Sequence, residues 1–329
     1  MKRVLQQFKR RPMLPQWMQE PVFTGMLPQR MLSTGHAWGR ALRRDVVGMT
    51  PQQIRTWLDG FSRLNPGPSG GTFEMSVRGG VPTSILRKPG SMVPGRVLMI
   101  HGGGFAFGSS RTHRALGMHL AMRTGREVWI PEYRLAPEHP FPAGVEDVIR
   151  VYDEAVADGG GVVVVGDSAG GNLAAVLVQA AHNRKEKMPS ACALLSPWLD
   201  LRPQSSSNLQ DAHALSMFDA EDMRAYDAED MRAYSLQYLG EQHPEDPQAS
   251  PLLGDFQGFP RTHLQVSATE YLFPDAMECR SALEAAGVPC EWYVDSGALH
   301  GWQLFPDFLP EAQRALDALV RFIGEEARD

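Results

Sequence analysis

The sequence has few cysteines, and none of them stands in a pattern that binds a metal ion or forms a redox pair. Its three cysteines, Cys192, Cys279 and Cys290, are an odd number and lack CxxC spacing. We therefore expect free thiols, no bound metal ion and a reducing, cytoplasmic location.

Long apolar runs are also missing. No stretch approaches the roughly 18 apolar residues of a membrane-spanning helix, and the first residues lack the apolar segment of a secretion signal. We therefore expect a soluble, unexported protein without stable membrane insertion. Residues 1–63 carry eleven Lys and Arg residues against three Asp and Glu residues. Because these charges form no continuous basic run with interleaved aromatics, nucleic acid is not an expected partner.

Prolines interrupt the first 70 residues, which show no period-two alternation. The pattern predicts short helices, followed by a turn-rich linker, "NPGPSGG". Residues 1–70 are therefore interpreted as a distinct leading segment. The prolines that break it are Pro12, Pro15, Pro21, Pro28 and Pro51.

From residue 72 onward, predicted strands alternate with predicted helices. The strands include "RVLMIH", "EVWIPEY", "ACALLS", "HLQVSA", "CEWYVD" and "GVVVVG", whose four valines indicate burial on both faces. Helices are predicted near residues 111–124, at 143–158, from Ser168, at 274–287 and from Pro310. This alternation predicts an α/β fold in which helices flank a mostly parallel sheet. Reacting groups then gather at the carboxyl ends of the strands.

One tandem repeat interrupts this rhythm. "DAEDMRAY" at residues 219–226 recurs at once at residues 227–234. Two copies are too few for a solenoid. The repeat is either a recent duplication or a functional lengthening of a wall over a pocket.

The stretch "GDSAG" follows the four-valine strand and precedes an apolar helical pattern. It matches G-x-S-x-G, in which a tight strand-to-helix turn presents a serine above the sheet. A helix cap is the alternative role for Ser168. The surrounding strand and helix favour Ser168 as a nucleophile.

The stretch "HGGGF" follows the strand "RVLMI" and offers backbone N–H groups without obstructing side chains. It matches neither G-x-G-x-x-G nor a phosphate-binding loop, because no Lys-Ser/Thr pair follows. We expect the amides of Gly102, Gly103 and Gly104, together with that of Ala169, to form an oxyanion hole. His101 is expected to be structural, with its ring holding this loop.

A serine nucleophile in this arrangement needs an acid and then a histidine later in the chain. His300 lies in the loop "SGALHGW" after the strand "CEWYVD" and is the predicted base. Glu270 and Asp275 compete for the role of the acid, since both follow the strand "HLQVSA". Glu270 is favoured because it is nearer the strand end, whereas Asp275 fits the first turn of a helix.

On these motifs, the chain resembles the hormone-sensitive lipase family of bacterial esterases, within the α/β-hydrolases. Further matching stretches are "YRLAPEHPFPAGVED" at 133–147, "LLSPWLDL" at 194–201 and "SPLLGDFQGFP" at 250–260. The family places its acid about thirty residues before the histidine, as Glu270 is, although it usually has Asp-Pro where this chain has Glu270-Tyr271.

The resemblance also implies a domain arrangement and a reaction. Residues 1–70 would form a helical cap, residues 205–245 would contribute to it, and residues 71–329 would form the catalytic domain. The implied activity is that of a serine carboxylesterase that hydrolyses short-to-medium acyl esters through an acyl-enzyme, with a small-molecule ester as its partner and no cofactor. An amidase or deacetylase with the same triad, and a catalytically silent ligand-binding homologue, are the alternatives. A homodimer is compatible with this interpretation.

Overall fold

The computed structural model describes residues 49–91, 93–157, 159–203, 205 and 231–325. Within these residues the chain forms an eight-stranded sheet. The strands are β1 (Thr72–Arg78), β2 (Val81–Arg87), β3 (Arg96–Ile100), β4 (Glu127–Pro131), β5 (Val162–Asp167), β6 (Ala191–Leu195), β7 (Thr262–Ser267) and β8 (Cys290–Asp295).

The strand order is β1-β2-β4-β3-β5-β6-β7-β8. β1 pairs antiparallel with β2, and β2 pairs antiparallel with β4. Every other neighbouring pair is parallel. The predicted mostly parallel sheet is therefore confirmed, and its parallel part brings the carboxyl ends of six neighbouring strands to one edge.

Helices connect the parallel strands, close to their predicted positions. α1 starts with Pro51 at its first turn and has a capping box, in which Thr50 and Gln53 each bind the other's backbone N–H. The helices are α1 (Pro51–Phe61), α2 (Arg114–Thr124), α3 (Ala143–Ala157), α4 (Ala169–Asn183), α6 (Phe273–Ala285) and α7 (Pro310–Glu325). Residues 231–239 are also helical and are called α5.

The four valines of β5 show how the sheet is sandwiched. Val162 and Val164 belong to the apolar cluster on one face, whereas Val163 and Val165 belong to the cluster on the other face. All four are at most 2% exposed, as alternation across a strand covered on both sides requires. Burying each such side chain stabilises the fold by about 1.5–3 kcal/mol.

Several sequence predictions fall on residues that are not described. Residues 1–48 of the predicted cap, the first copy of the repeat and residues 227–230 of the second copy lie outside the described ranges. Residues 231–234 of the second copy belong to α5. No helix in the described part of the chain is both long and apolar enough to span a bilayer.

Candidate active site

The carboxyl edge of the sheet collects the residues that the sequence singled out. The loop between β3 and α2, residues 101–113, is called the glycine loop. Ser168 follows β5, which pairs with β3. Glu270 lies just beyond β7, and His300 lies in the loop beyond β8. Because these strands are parallel, all four segments emerge at the same edge.

Ser168 occupies a strained turn between β5 and α4. Its backbone has φ 51° and ψ −120°, which is outside the regions that L-residues ordinarily adopt. The turn is held by the N–H of Ser168, which donates to Leu195 O at 2.9 Å, and by the N–H of Trp198, which donates to Ser168 O at 3.0 Å. A Cβ on Gly166 would collide with the carbonyl of Gly170, which explains why this turn needs glycine.

Ser168, His300 and Glu270 form a continuous hydrogen-bonded chain. Nε2 of His300 lies 3.0 Å from Oγ of Ser168, and Nδ1 of His300 lies 2.9 Å from Oε2 of Glu270. Since an ionised carboxylate can only accept, the imidazole donates from Nδ1 and accepts the serine hydroxyl proton at Nε2. The side chain of Glu270 is only 1% exposed, whereas that of His300 is 43% exposed.

The two competing carboxylates have different partners. Oε1 of Glu270 accepts the N–H of Ser267 at 3.0 Å, which leaves Oε2 for His300. Oδ2 of Asp275 instead accepts the N–H groups of Leu199 at 2.8 Å and Asp200 at 3.0 Å. The geometry therefore brings Glu270 to the imidazole and uses Asp275 to hold the loop after β6.

Three of the four predicted oxyanion donors are available. Within the described residues, the N–H groups of Gly103, Gly104 and Ala169 have no protein acceptor. Gly103 has φ 119°, and a Cβ there would lie 2.6 Å from the Phe107 backbone, so the loop requires glycine at this position. Ala169 is the first residue of α4, where free N–H groups and the helix dipole favour a negative charge.

Gly102 departs from the prediction. Its N–H donates to Oδ1 of Asp167 at 2.9 Å, and it lies 3.3 Å from Nε2 of His113. This amide is therefore committed inside the protein, and the expectation that it faces the oxyanion is corrected. The direction of a peptide N–H depends on its partner, which the glycine motif does not reveal.

The sequence reasoning missed Asp167 and His113. Asp167 is buried beside Ser168, and its carboxylate contacts Nε2 of His113 at 3.0 Å. Burial alone would raise the pKa of Asp167, but His113 and the N–H of Gly102 outweigh it and lower that pKa. The available signal was the acidic residue inside "GDSAG", because a carboxylate at the end of a buried strand needs a partner.

His101 is fully buried within the glycine loop. Its Nδ1 lies 2.9 Å from the carbonyl of Gly102, and its ring stacks on Tyr133 with 4.2 Å between the centroids. The hydroxyl of Tyr133 donates to the carbonyl of His101 at 2.8 Å. Burial, assisted by the nearby His113, lowers the pKa of His101 to about 3.

The lowered pKa of His101 predicts a loss of stability in acid. Below pH about 6.5 the unfolded chain binds a proton that the folded state refuses, so the free energy of unfolding falls as the pH drops towards 3. From pH 7 to pH 5 this single group lowers it by about 2 kcal/mol. Urea unfolding of the parent and His101→Asn at both pH values tests this. The variant should show the smaller decrease, and equal decreases would contradict the assignment.

Within the described residues, the remaining candidate groups form no metal site. Among the residues that the structure describes, no three His, Cys, Asp or Glu side chains are grouped so that they could hold a metal ion. Cys192, Cys279 and Cys290 are free thiols. Burial raises the pKa of Cys192 to about 12, which keeps this thiol protonated.

Three comparisons with known proteins identify relatives of this chain. The family model of the α/β-hydrolase fold matches residues 97–304. An esterase of Acinetobacter venetianus is 32% identical over 280 residues, covering 84% of this chain and 89% of that protein. An acetyl-hydrolase of Streptomyces hygroscopicus is 34% identical over 234 residues, covering 70% and 75%. The crystal structure of an esterase from the bacterial hormone-sensitive lipase family superposes with a TM-score of 0.78 at 32% identity, covering 87% of this chain and 96% of that one.

Proposed function

Because this chain belongs to the hormone-sensitive lipase family of α/β-hydrolases and is a carboxylic ester hydrolase, we propose that it hydrolyses esters with Ser168 as the nucleophile, through an acyl-enzyme. The observation that carries the proposal is the chain of contacts from Ser168 Oγ to His300 Nε2 at 3.0 Å and from His300 Nδ1 to Glu270 Oε2 at 2.9 Å. This is the geometry that a general base needs to deprotonate a hydroxyl nucleophile.

In the first half of the reaction, Ser168 Oγ attacks the ester carbonyl while His300 Nε2 takes the hydroxyl proton. The buried carboxylate of Glu270 orients the ring and stabilises the imidazolium, without itself taking the proton. His300 then gives the proton to the departing alcohol as the bond between the acyl carbon and the alcohol oxygen breaks. In the second half, the water oxygen bonds to the acyl carbon while His300 takes a proton from that water. The bond between the acyl carbon and Ser168 Oγ then breaks, the carboxylic acid leaves, and His300 returns the proton to Oγ.

Backbone N–H groups stabilise the negative charge of the tetrahedral intermediate. The amides of Gly103, Gly104 and Ala169 are the donors that we assign to this charge, since none of them has a protein acceptor among the described residues. Each such donor contributes a factor of about 10² to 10³ in rate. The carboxylate of Asp167 supports the assignment, because it holds the peptide of Gly102 immediately before these donors.

Aromatic side chains beside the glycine loop support a short-to-medium acyl substrate. A Cβ on Gly104 would lie 3.1 Å from the ring of Tyr234 on α5, so this ring closes one side of the loop. Tyr234 meets Phe107 edge-on with 5.1 Å between centroids. The Streptomyces relative is named as an acetyl-hydrolase, which agrees with a small acyl group for this chain.

The substrate class is tested with p-nitrophenyl acetate, butyrate, octanoate and laurate, together with the matched p-nitroanilides. We expect kcat/KM to be highest for acetate or butyrate and lowest for laurate, and each anilide to react more slowly than its ester. An anilide that reacts faster than its ester would favour the alternative hypothesis, an amidase that uses the same triad. Absence of turnover on every ester would contradict the proposed function and leave a ligand-binding role.

A further inference from the structure

Arg55 of α1 reaches the glycine loop from a distant part of the chain. Its Nε donates to the carbonyl of Ala106 at 2.8 Å, and its Nη2 donates to the carbonyl of Ala136 at 2.7 Å. Ala106 lies two residues after Gly104, within the same loop. Arg55 lies outside residues 97–304, which the α/β-hydrolase family model matches.

A half-exposed carboxylate also binds the Arg55 guanidinium. Glu138 accepts from Nη1 at 3.0 Å and from Nη2 at 2.7 Å, which is a bidentate pair. The side chain of Arg55 is 18% exposed and that of Glu138 is 47% exposed. The planar guanidinium therefore serves two carbonyls and one carboxylate at once, which a lysine ammonium cannot reproduce.

Both carbonyls belong to residues whose own N–H groups donate to carbonyls of the glycine loop. The N–H groups of Ala106 and Phe107 donate to the carbonyl of Gly103 at 3.1 and 2.8 Å, which closes a turn around Gly104. The N–H of Ala136 donates to the carbonyl of Phe105 at 3.0 Å. Arg55 thus joins the outer side of this turn to its neighbouring loop.

A second residue of α1 contacts the same loop further along. Asp59 accepts the hydroxyl of Ser109 at 2.5 Å and lies 3.4 Å from Nη1 of Arg111. One face of α1 therefore holds the segment from Ala106 to Arg111 at two places. Arg55 is the nearer of the two contacts to Gly103 and Gly104.

We propose that Arg55 is a positioning residue for the oxyanion hole, which aims the amides of Gly103 and Gly104 by binding the carbonyls of Ala106 and Ala136. The inference rests on the proposed function, in which those amides receive the negative charge. Arg55 itself need not touch the substrate. Arg55 therefore affects stabilisation of the transition state and not binding of the substrate, because the negative charge on the substrate's carbonyl oxygen develops only as the reaction proceeds.

The test compares Arg55→Ala and Arg55→Lys with the parent on p-nitrophenyl butyrate. We expect kcat to fall by about 10- to 100-fold in Arg55→Ala, as for a displacement of catalytic groups by about 1 Å, with KM within about twofold. Arg55→Lys keeps the charge but not the fork, so its kcat should lie between the two. The pH midpoint of kcat/KM should stay unchanged, because Arg55 does not contact His300.

Glu138→Gln is the matched control, since it removes the ion pair and leaves both carbonyl bonds. Its kcat should stay within about twofold of the parent value. If Arg55→Ala does not fold, Arg55→Lys alone decides the question. A kcat loss below about threefold in a folded Arg55→Ala, the parent kcat in Arg55→Lys, or a change confined to KM would overturn the inference. Failure of the proposed function is distinguishable, because Ser168→Ala would then keep the parent turnover.

Discussion

We expect ester turnover to be lost when Ser168 is replaced by alanine, with kcat falling by about 10⁴- to 10⁶-fold, because this removes the nucleophile of a hydroxyl–imidazole pair. The hydroxyl makes its hydrogen bond with His300 at 3.0 Å. Its removal therefore eliminates the attacking atom and leaves the surrounding backbone bonds in place. Initial rates on p-nitrophenyl butyrate, together with thermal melting, measure both consequences.

Ser190→Ala is the matched control for this change. The hydroxyl of Ser190 donates to the carbonyl of Val162 at 3.1 Å, at the opposite end of β5 from Ser168. This variant should keep the parent kcat within about twofold, since the reaction does not depend on that bond. A Ser168→Ala protein with the parent rate would contradict the mechanism, whatever its melting temperature.

Exchanging the two competing carboxylates for amides separates catalysis from stability. Glu270→Gln should lower kcat by about 10³- to 10⁴-fold, because an amide neither stabilises the imidazolium nor enforces the required tautomer of His300. Asp275→Asn should leave kcat within a few-fold but lower the free energy of unfolding by about 1–3 kcal/mol, since two N–H groups depend on its buried carboxylate.

Steady-state rates and urea unfolding of both variants check this assignment. Each variant controls for the other, because both remove one buried negative charge from the segment after β7. A larger loss of kcat from Asp275→Asn than from Glu270→Gln would reverse the choice of acid. Loss of stability in both, with equal loss of kcat, would also contradict the separate roles.

Local patterns were sufficient to predict the sheet and to single out the segments that meet at its carboxyl edge. The alternation of the valines in β5 and the predicted turn after it depend on neighbouring residues alone. α1 falls among the short helices predicted for residues 1–70, and it begins at Pro51, one of the prolines that divide this segment. Parallel pairing then brings together residues as distant as Ser168 and His300, since each follows its own strand.

Local sequence patterns do not predict contacts between elements that are distant in the chain. The commitment of the Gly102 amide depends on Asp167, 65 residues later, and the two meet only because β3 pairs with β5. Arg55 contacts Ala106 from 51 residues away, through a carbonyl that any residue would offer. In each contact one partner is a backbone group, the N–H of Gly102 or the carbonyl of Ala106, and a backbone group leaves no trace in the sequence. The acid inside "GDSAG" signalled that Asp167 needs a partner, but not which one.

The same limit explains the choice between Glu270 and Asp275. The sequence favours Glu270 because it is nearer the end of β7, but both residues follow β7 and both are buried, so the sequence alone leaves the choice open. The loop after β6 supplies N–H groups to Asp275, and this leaves Glu270 as the carboxylate at the imidazole. The residues that bind Asp275, Leu199 and Asp200, lie in the loop after β6, far from Asp275 in the sequence.

In the proposed mechanism, Ser168 carries the acyl group between the two halves of the reaction. Rapid acid quenching during turnover of p-nitrophenyl butyrate, followed by peptide mass spectrometry, measures this directly. We predict a butyryl adduct on the peptide that contains Ser168, and its absence in the Ser168→Ala protein. Full turnover with no adduct on that peptide, or with the adduct on another residue, would contradict this mechanism.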